Sequence, residues 1–591
     1  MSKIKLSDYV AKRLKEFGVN HIFMVSGGGA MFLNDSLGRV FSYTACHHEQ
    51  ACAIAAEGYA RVEQKLSVVN ITTGPGGLNC LNGVFGEWTD SVPVLYISGQ
   101  VKRRTMLDNC KIPTRQLGDQ EVDIISVVKP LTKYSVCIKE PNEIKYHLDR
   151  AIYEATTGRF GPVWLDIPID VQSAIIEEND LIEFVPEQPT KQTFDVKTVL
   201  DKLNSSKRPL IVAGHGIRLA RMIEEFKQLI KQVKIPVVTT FNGFDLMESD
   251  NPHYIGRIGT IGQRAGNFAL QNADLILFLG TRNNIRQVSY NWENFGKNAY
   301  KIVVDIDEAE LKKPLVKPDI AICADLKDFI PEFNKQISMQ NIKMSSDWLS
   351  FCQRLKDKYS FANHPETVQK DKIEPYHFTY ALTKCMEEND ILVMANGSAC
   401  VCTFQNAIVK KGERFILNGG DASMGYALPA SIGVCREAGK RRVICLEGDG
   451  SIMMNIQELQ TIKHNNLPIK IFVINNNGYS SIRQSQKNFF DGHMTASGAD
   501  SGVSVPDFMA VAKAFGIKSV EITNPETMED DIKKALETDG AILCEVKTVQ
   551  EYGFVPKLSS RKLEDGTIVS PSLEDMFPFL DRNEYEGNII C

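Results

Sequence analysis

Two short segments in the last third of the chain carry residue types able to hold a metal ion beside a phosphate. The apolar run Arg442-Val443-Ile444-Cys445-Leu446 ends in Glu447-Gly448-Asp449-Gly450-Ser451. It reads as a buried strand that delivers a carboxylate at its carboxyl end, where α/β sheets bind ligands. The glycines allow close approach of the backbone to phosphate, and helix signals from Ser451 through Gln457-Glu458-Leu459 predict a positive helix N-terminus beside it. A second apolar run, residues 469–474, leads into Asn475-Asn476-Asn477-Gly478-Tyr479. Asp449 and Asn476 are 27 positions apart, room for one helix and a return to the neighbouring strand, so both tips face one crevice. A carboxylate, an amide oxygen and a backbone carbonyl beside phosphate oxygens suit octahedral Mg²⁺. Gly-Asp-Gly alone is a turn, and so is an asparagine cluster; the pairing, each after an apolar strand, is what points to a metal-diphosphate site.

A second carboxylate stands far upstream, in Cys46-His47-His48-Glu49-Gln50, ahead of an Ala-rich stretch that ends Glu57-Gly58-Tyr59-Ala60-Arg61. By itself Glu49 reads as a negative charge in the first turn of a helix. Glycine turns follow apolar runs at Ser26-Gly27-Gly28-Gly29 and at Thr73-Gly74-Pro75-Gly76-Gly77-Leu78-Asn79, and Asp119-Gln120-Glu121 lies between elements. Asn396-Gly397 and the loop Asn418-Gly419-Gly420-Asp421-Ala422-Ser423-Met424-Gly425-Tyr426 precede the Asp449 segment. Together these segments resemble the thiamine-diphosphate-dependent enzyme family, in its acetohydroxyacid (acetolactate) synthase-like branch, over nearly the whole chain. The resemblance implies that Asp449, Asn476 and the Gly478 carbonyl are metal ligands. It implies that Glu49 activates the cofactor through its aminopyrimidine ring, and that Gln120 lines the reaction centre. It assigns cofactor contacts to Gly28, Gly29, Thr73, Gly74, Asn79, Asn396, Gly397, Ala422, Met424, Gly448, Gly450, Ser451 and Tyr479, with Met424 wedged beneath the cofactor. It further implies a homodimer or homotetramer, because Glu49 and Asp449 meet across a subunit interface in these enzymes.

The expected reaction is decarboxylation of a 2-oxo acid, pyruvate first, and ligation of the two-carbon unit to an acceptor carbonyl. The alternatives are a simple 2-oxo acid decarboxylase or an oxidase using thiamine diphosphate and FAD. Plain decarboxylases of the family carry a proton-donating glutamate shortly after the Asn-Gly-Tyr segment; the position here is Ile482. The synthases carry Gln-Trp in the next helix, where this chain has Gln484-Ser485, so a larger or more polar acceptor is expected, a nucleotide keto sugar as well as a second keto acid. Ala213-Gly214-His215-Gly216, Arg257, Arg264 and Gly280-Thr281-Arg282-Asn283-Asn284 stand where the synthases hold a non-redox FAD, but the acidic pair after the arginine is here Asn283-Asn284. FAD binding is left open by these residues.

Elements must position these groups. Apolar runs at 21–25, 67–71, 94–98 and 163–167, then 209–214, 237–240, 275–280 and 302–306, then 391–394, 442–447, 469–475 and 541–546 alternate with helix-length segments. That pattern predicts α/β architecture, three doubly wound parallel-sheet domains with strands buried on both faces. Expected boundaries are 1–180 (pyrimidine-binding), 190–345 (central) and 365–550 (diphosphate- and Mg-binding), with a polar tail over 551–591. A charged stretch beginning at Glu177 and ending at Pro189 reads as a linker. The 591 residues, 43% apolar and 24% charged with net charge −6, fit a multi-domain globular protein and argue against a nucleic-acid partner. No run approaches a membrane span, and the N-terminus lacks the apolar core of a secretory signal. Fourteen cysteines without metal-ligand spacing read as reduced thiols, and a cytoplasmic location is expected.

Overall fold

The computed structural model describes residues 3–187, 193–338, 346–361, 371–439, 441–562, 565 and 567–590. Three six-stranded, all-parallel sheets form its frame. The first holds β1 (His21–Met24), β2 (Ser42–Ala45), β3 (Ser67–Ile71), β4 (Val94–Gln100), β5 (Tyr134–Cys137) and β6 (Val163–Pro168), in spatial order β2-β1-β3-β4-β6-β5. The second holds β7 (Pro209–Ala213), β8 (Val237–Thr239), β9 (Tyr254–Arg257), β10 (Leu275–Leu279), β11 (Tyr300–Asp305) and β12 (Ile320–Cys323), ordered β9-β8-β7-β10-β11-β12. The third holds β13 (Ile391–Met394), β14 (Arg414–Ile416), β15 (Val443–Gly448), β16 (Ile469–Asn475), β17 (Lys518–Ile522) and β18 (Ile542–Lys547), ordered β14-β13-β15-β16-β18-β17. Both faces of each sheet are covered by helices and closed by apolar cores, as the near-continuous apolar runs require.

In each sheet the strand order reverses between β1 and β3, β7 and β10, and β13 and β15. A crevice opens there because the loops leaving the two neighbouring strands run to opposite faces. The expected site segments leave these strands. Gly28 and Gly29 follow β1, and Thr73 and Gly74 follow β3; Asn396 and Gly397 follow β13, and Asp449 follows β15.

Four helices matter for the site: α1 (Glu49–Glu63), α2 (Ser398–Asn406), α3 (Ala427–Glu437) and α4 (Ser480–Phe489). α1 of the first unit crosses α3 of the third at backbone contact. A Cβ on Gly433 would stand 1.7 Å from the Ala55 carbonyl oxygen, and one on Gly58 would stand 2.3 Å from that of Ala430. Only glycine admits this crossing, which fixes the first and third units against each other.

The helix expected from Ser451 through Leu459 is broken into Asp449–Ile452 and Glu458–His464. The break is held by Asn455, fully buried, whose Nδ2 donates to the Gly425 carbonyl at 2.8 Å and so joins the turn to the 418–426 loop. The charged stretch starts inside structure: Ile175–Glu177 pairs antiparallel with Lys3–Lys5. Residues 188 and 189 of that stretch, and 339–345 where the second unit was expected to fade, lie outside the described residues. The expected tail is a strap on the central unit of its own chain. Leu573 and Met576 are buried, and Asn267 and Asn272 donate to the Leu573 and Asn588 carbonyls at 3.1 and 2.8 Å. Among the described residues no helix is long and apolar enough to cross a membrane, and the cysteines are free thiols.

Candidate active site

Asp449 opens the turn after β15 and is 1% exposed. Its Oδ1 accepts from the Gly450 N–H at 2.7 Å, and its Oδ2 from the N–H groups of Asn476 (3.1 Å) and Gly478 (2.9 Å). The loops after two adjacent strands, β15 and β16, thus meet on one carboxylate, as the spacing predicted. Burial pushes the Asp449 carboxyl above its usual value, while these backbone donors pull it back. Among the described residues no side-chain cation pairs with it. A buried carboxylate held only by neutral donors is costly unless a cation joins it, so the residues present fit a divalent metal. Among the described residues no cluster of three or more His, Cys, Asp or Glu exists, so a metal here would take neutral oxygens beside one carboxylate.

The other residues expected on the diphosphate side converge on the same place. The Ser451 hydroxyl accepts from Gly425 N at 2.8 Å, and Asn396 Nδ2 donates to the Ser423 carbonyl at 2.7 Å. Asn418 Oδ1 accepts from Ala422 N at 3.0 Å, which holds Ala422 at φ +62°. Met424 is half-buried between them rather than packed in the core. Gly450 is dictated by Tyr479: a Cβ there would stand 2.2 Å from the tyrosine ring. Gly448 is the last residue of β15, and Gly397 adopts φ +76° ahead of α2.

The residues expected around the cofactor's ring gather around α1. Glu49 is its first residue, and its Oε2 accepts from Asn79 Nδ2 at 2.9 Å. The cap is His48, whose Nδ1 accepts from Gln50 N at 3.1 Å, so Glu49 is not spent on capping. Thr73 donates to the Gly99 carbonyl at 2.9 Å and presses on Gly29, where a Cβ would meet the threonine hydroxyl at 2.1 Å. Gly74, at φ +64°, lies against the exposed Gln120, whose carbonyl oxygen would stand 2.0 Å from a Cβ. A Cβ on Gly28 would meet open space. Among the described residues no hydrogen bond within one chain joins Glu49 or Gln120 to Asp449 or Asn476. The halves are tied instead by Ser423 Oγ to Asn82 Oδ1 (2.6 Å), His47 N to Glu458 Oε1 (3.0 Å) and Gly419 N to Asp90 Oδ2 (2.9 Å).

Three groups escaped the sequence reading. Arg483 of α4 clamps the 475–478 loop: its guanidinium donates to the Asn476 and Asn477 carbonyls (2.8 and 3.0 Å), to Asn476 Oδ1 (3.2 Å) and to the Gln550 carbonyl (3.1 Å). Arg61 bridges Glu57 and Asp90, both at 2.7 Å, beneath the 418–426 loop. The third lies in a cavity of ≈ 390 Å³ at the β7/β10 crevice, where Arg286 stacks 4.8 Å from the Phe241 ring and Phe404 and Gly419 of the third unit close the wall. Arg286 Nη1 and His215 Nε2 are buried there without a hydrogen-bond partner among the described residues. Asn283 and Asn284 serve the wall itself: Asn283 Oδ1 accepts from Thr281 and Gln287, and Asn284 caps residues 285–288. Gly214 and Gly216 are set by backbone contact with Gly280. Glu57 and Arg61 are an i,i+4 pair on α1 and His215 sits in a segment singled out from the sequence, but their partners Asp90 and Arg286, like the Arg483 clamp, are revealed only by spatial proximity.

Comparison with known proteins agrees with this arrangement. Family models described as the thiamine pyrophosphate enzyme N-terminal TPP binding domain, central domain and C-terminal TPP binding domain match residues 4–127, 196–333 and 395–546. The chain is 33% identical over 601 residues to the acetolactate synthase large subunit of Lactococcus lactis, covering 100% of both chains. It is 31% identical to the acetolactate synthase isozyme 2 large subunit of Escherichia coli, over 91% of this chain and 95% of that one. It is 31% identical to a probable acetolactate synthase large subunit of Methanocaldococcus jannaschii, over 92% of each. Its three units, matched in order, and its full-length likeness to synthases make this chain a thiamine-pyrophosphate-dependent enzyme of the acetolactate synthase-like family.

Proposed function

We propose that the protein decarboxylates a 2-oxo acid, pyruvate foremost, and transfers the remaining two-carbon unit to an acceptor carbonyl. Thiamine diphosphate, when bound, supplies the carbon nucleophile and electron sink for loss of CO₂. Asp449, Asn476 and Gly478 would hold Mg²⁺ and with it the diphosphate; Ser451 and Asn396 order the loops around them. Glu49 keeps one oxygen on Asn79 and presents the other to hold a proton at the pyrimidine ring. The observation that carries ligation over simple decarboxylation is α4, Ser480 to Phe489, which offers no carboxylic acid or imidazole beside the metal loop. Without a proton donor there, the two-carbon unit is left for a second carbonyl carbon.

The acceptor site supports a partner larger than a short keto acid. Ser485 is exposed, and its hydroxyl turns back to the Ser481 carbonyl at 3.2 Å, so no described side chain of this subunit refills the space. A homodimer completes the site: Leu78, Phe85 and Trp88, about two-fifths exposed in the two helices 75–79 and 81–90 that follow Gly74, suit packing against a second copy that brings Glu49 to the partner's 475–478 loop. The central cavity, with two unpartnered buried polar atoms, suits the polar groups of FAD, and flavin absorbance of the purified protein checks its occupancy. The function itself is tested by mass spectrometry of products from pyruvate with keto acids, aldehydes and nucleotide keto sugars. Ligated products are expected; stoichiometric acetaldehyde, or acetate with peroxide, would refute the proposal.

A further inference from the structure

We infer that Glu121 is a positioning residue: it closes the loop 107–118 on itself and so holds its neighbour Gln120 in a strained backbone conformation. This rests on reading Gln120 as a residue that lines the reaction centre. Gln120 is the third residue of a four-residue turn, closed by the Glu121 N–H on the Gly118 carbonyl at 3.2 Å, and it adopts φ +61°. Glycine is the usual occupant of such a position, because a Cβ there is strained. The Gln120 carbonyl oxygen lies 2.0 Å from where a Cβ on Gly74 would stand, so the turn is packed against the backbone that follows β3. A glutamine kept at a glycine position marks a side chain that is needed there, and surrounding structure must hold the strain.

The strain is held from both sides. Glu121 is buried, and its carboxylate accepts from the two ends of the loop, Leu107 N on Oε1 at 2.5 Å and Gly118 N on Oε2 at 2.9 Å. Its carbonyl accepts from Gln116 Nε2 at 3.1 Å. The loop between offers little packing of its own, with Ile112 70% and Leu117 49% exposed. On the far side, the Val122 carbonyl accepts from Nε2 of Gln100, the last residue of β4, at 3.0 Å, and that nitrogen also donates to the buried Asp166 of β6 at 2.9 Å. Both Glu121 oxygens are therefore spent on the loop, and Glu121 acts through its neighbour rather than on substrate. The Gln120 side chain is exposed and makes no hydrogen bond among the described residues, so its amide is left to a ligand. A glutamine at 121 would keep one acceptor oxygen and turn a second donor on an N–H; alanine would keep neither acceptor.

The test is a double-mutant cycle in the full-length protein with thiamine diphosphate and Mg²⁺, read as kcat/KM for CO₂ release from pyruvate. Glu121→Ala and Gln120→Ala should each lower it about ten-fold or more, and the double variant should fall no further than the lower of the two. Glu121→Gln should lie between wild type and Glu121→Ala, and it replaces alanine in the cycle if that variant fails to fold. Calorimetric affinity for thiamine diphosphate should stay within about three-fold throughout, since the Asp449 loops are untouched. Gln120→Gly should melt above Gln120→Ala, because glycine relieves the strain. Losses that multiply in the double variant, or a Glu121→Ala protein within about two-fold of wild type, would overturn the positioning role. A Gln120→Ala protein with wild-type kcat/KM would instead overturn the reading of Gln120.

Discussion

Replacing Arg61 by Met should destabilise the protein, and more at alkaline than at acidic pH. Arg61 is 3% exposed and donates to Glu57 and Asp90, while Asp90 also accepts the N–H of Gly419 and Glu57 accepts the O–H of Tyr426. Burial raises the Glu57 carboxyl to about 7 even with Arg61 present; burial pushes Asp90 upward too, but Arg61 and Arg282 outweigh it and hold Asp90 below its usual value. Methionine keeps most of the volume and leaves two buried carboxylates without their cation. Breaking such a pair costs about 3–5 kcal/mol. At roughly 2–4 °C per kcal/mol for a unit of this size, the thermal midpoint near pH 8 should fall by ~6–20 °C. A carboxyl whose folded value lies above its unfolded 4.5 contributes its stability below that pH and loses it as pH rises through the folded value. Removing Arg61 raises the folded values further, so the deficit, already present near pH 5 through Asp90, should widen towards pH 8. Differential scanning fluorimetry across that range measures it, and adding Glu57→Gln should restore part of the loss. A deficit that is constant with pH, or larger at pH 5, would refute the reasoning.

Three further outcomes follow from the same geometry. His21 is buried against Thr44, and burial together with Arg436 lowers its pKa to about 4. Its unfolded form binds a proton near 6.5 that the folded form refuses, so acidification from 6.5 towards 4 should cost at most roughly 3 kcal/mol, and midpoints of His21→Gln should fall less over that interval. Ser485→Trp should lower kcat/KM for bulky acceptors by about ten-fold or more while sparing a small keto acid, which competition assays would show. Chelation of divalent metal, or Asp449→Ala, should abolish thiamine diphosphate binding measured by calorimetry without unfolding the protein; retained affinity would argue against Asp449 as the ligand.

How far the sequence could be read follows burial. All twelve expected strands are the four inner strands of the three sheets, and the six that escaped, β2, β5, β9, β12, β14 and β17, are the edges. Inner strands lie under helices on both faces and are apolar along most of their length, as in Ile469–Asn475, where only Lys470 and the terminal Asn475 interrupt the run. Edge strands need not: Ser42–Ala45 and Lys518–Ile522 are largely exposed and mix polar with apolar residues, and Arg414–Ile416 is too short to show a pattern. Asp449 and Asn476 were legible because each ends a buried strand and the chain between them is one crossover long. Arg483 and Arg61 were not, since Arg483 joins the 476–477 loop to the Gln550 carbonyl 67 residues on and Arg61 joins Glu57 on its own helix to Asp90 beyond it, junctions that no local pattern encodes. The helix over 451–459 was misread because Asn455 binds Gly425 across the turn, a tertiary contact that outweighs helix propensity.

The central claim is that one chain carries both a metal-diphosphate cradle and the carboxylate that activates what it holds. The most direct measurement is the rate at which the C2 proton of bound thiamine diphosphate exchanges with solvent deuterium, followed by NMR in wild type and Glu49→Gln. The glutamine keeps the hydrogen bond to Asn79 in reach but cannot hold the proton. Fast exchange is expected in wild type and a fall of roughly 10²–10⁴-fold in the variant, with cofactor still bound. Exchange as fast in Glu49→Gln as in wild type would contradict it.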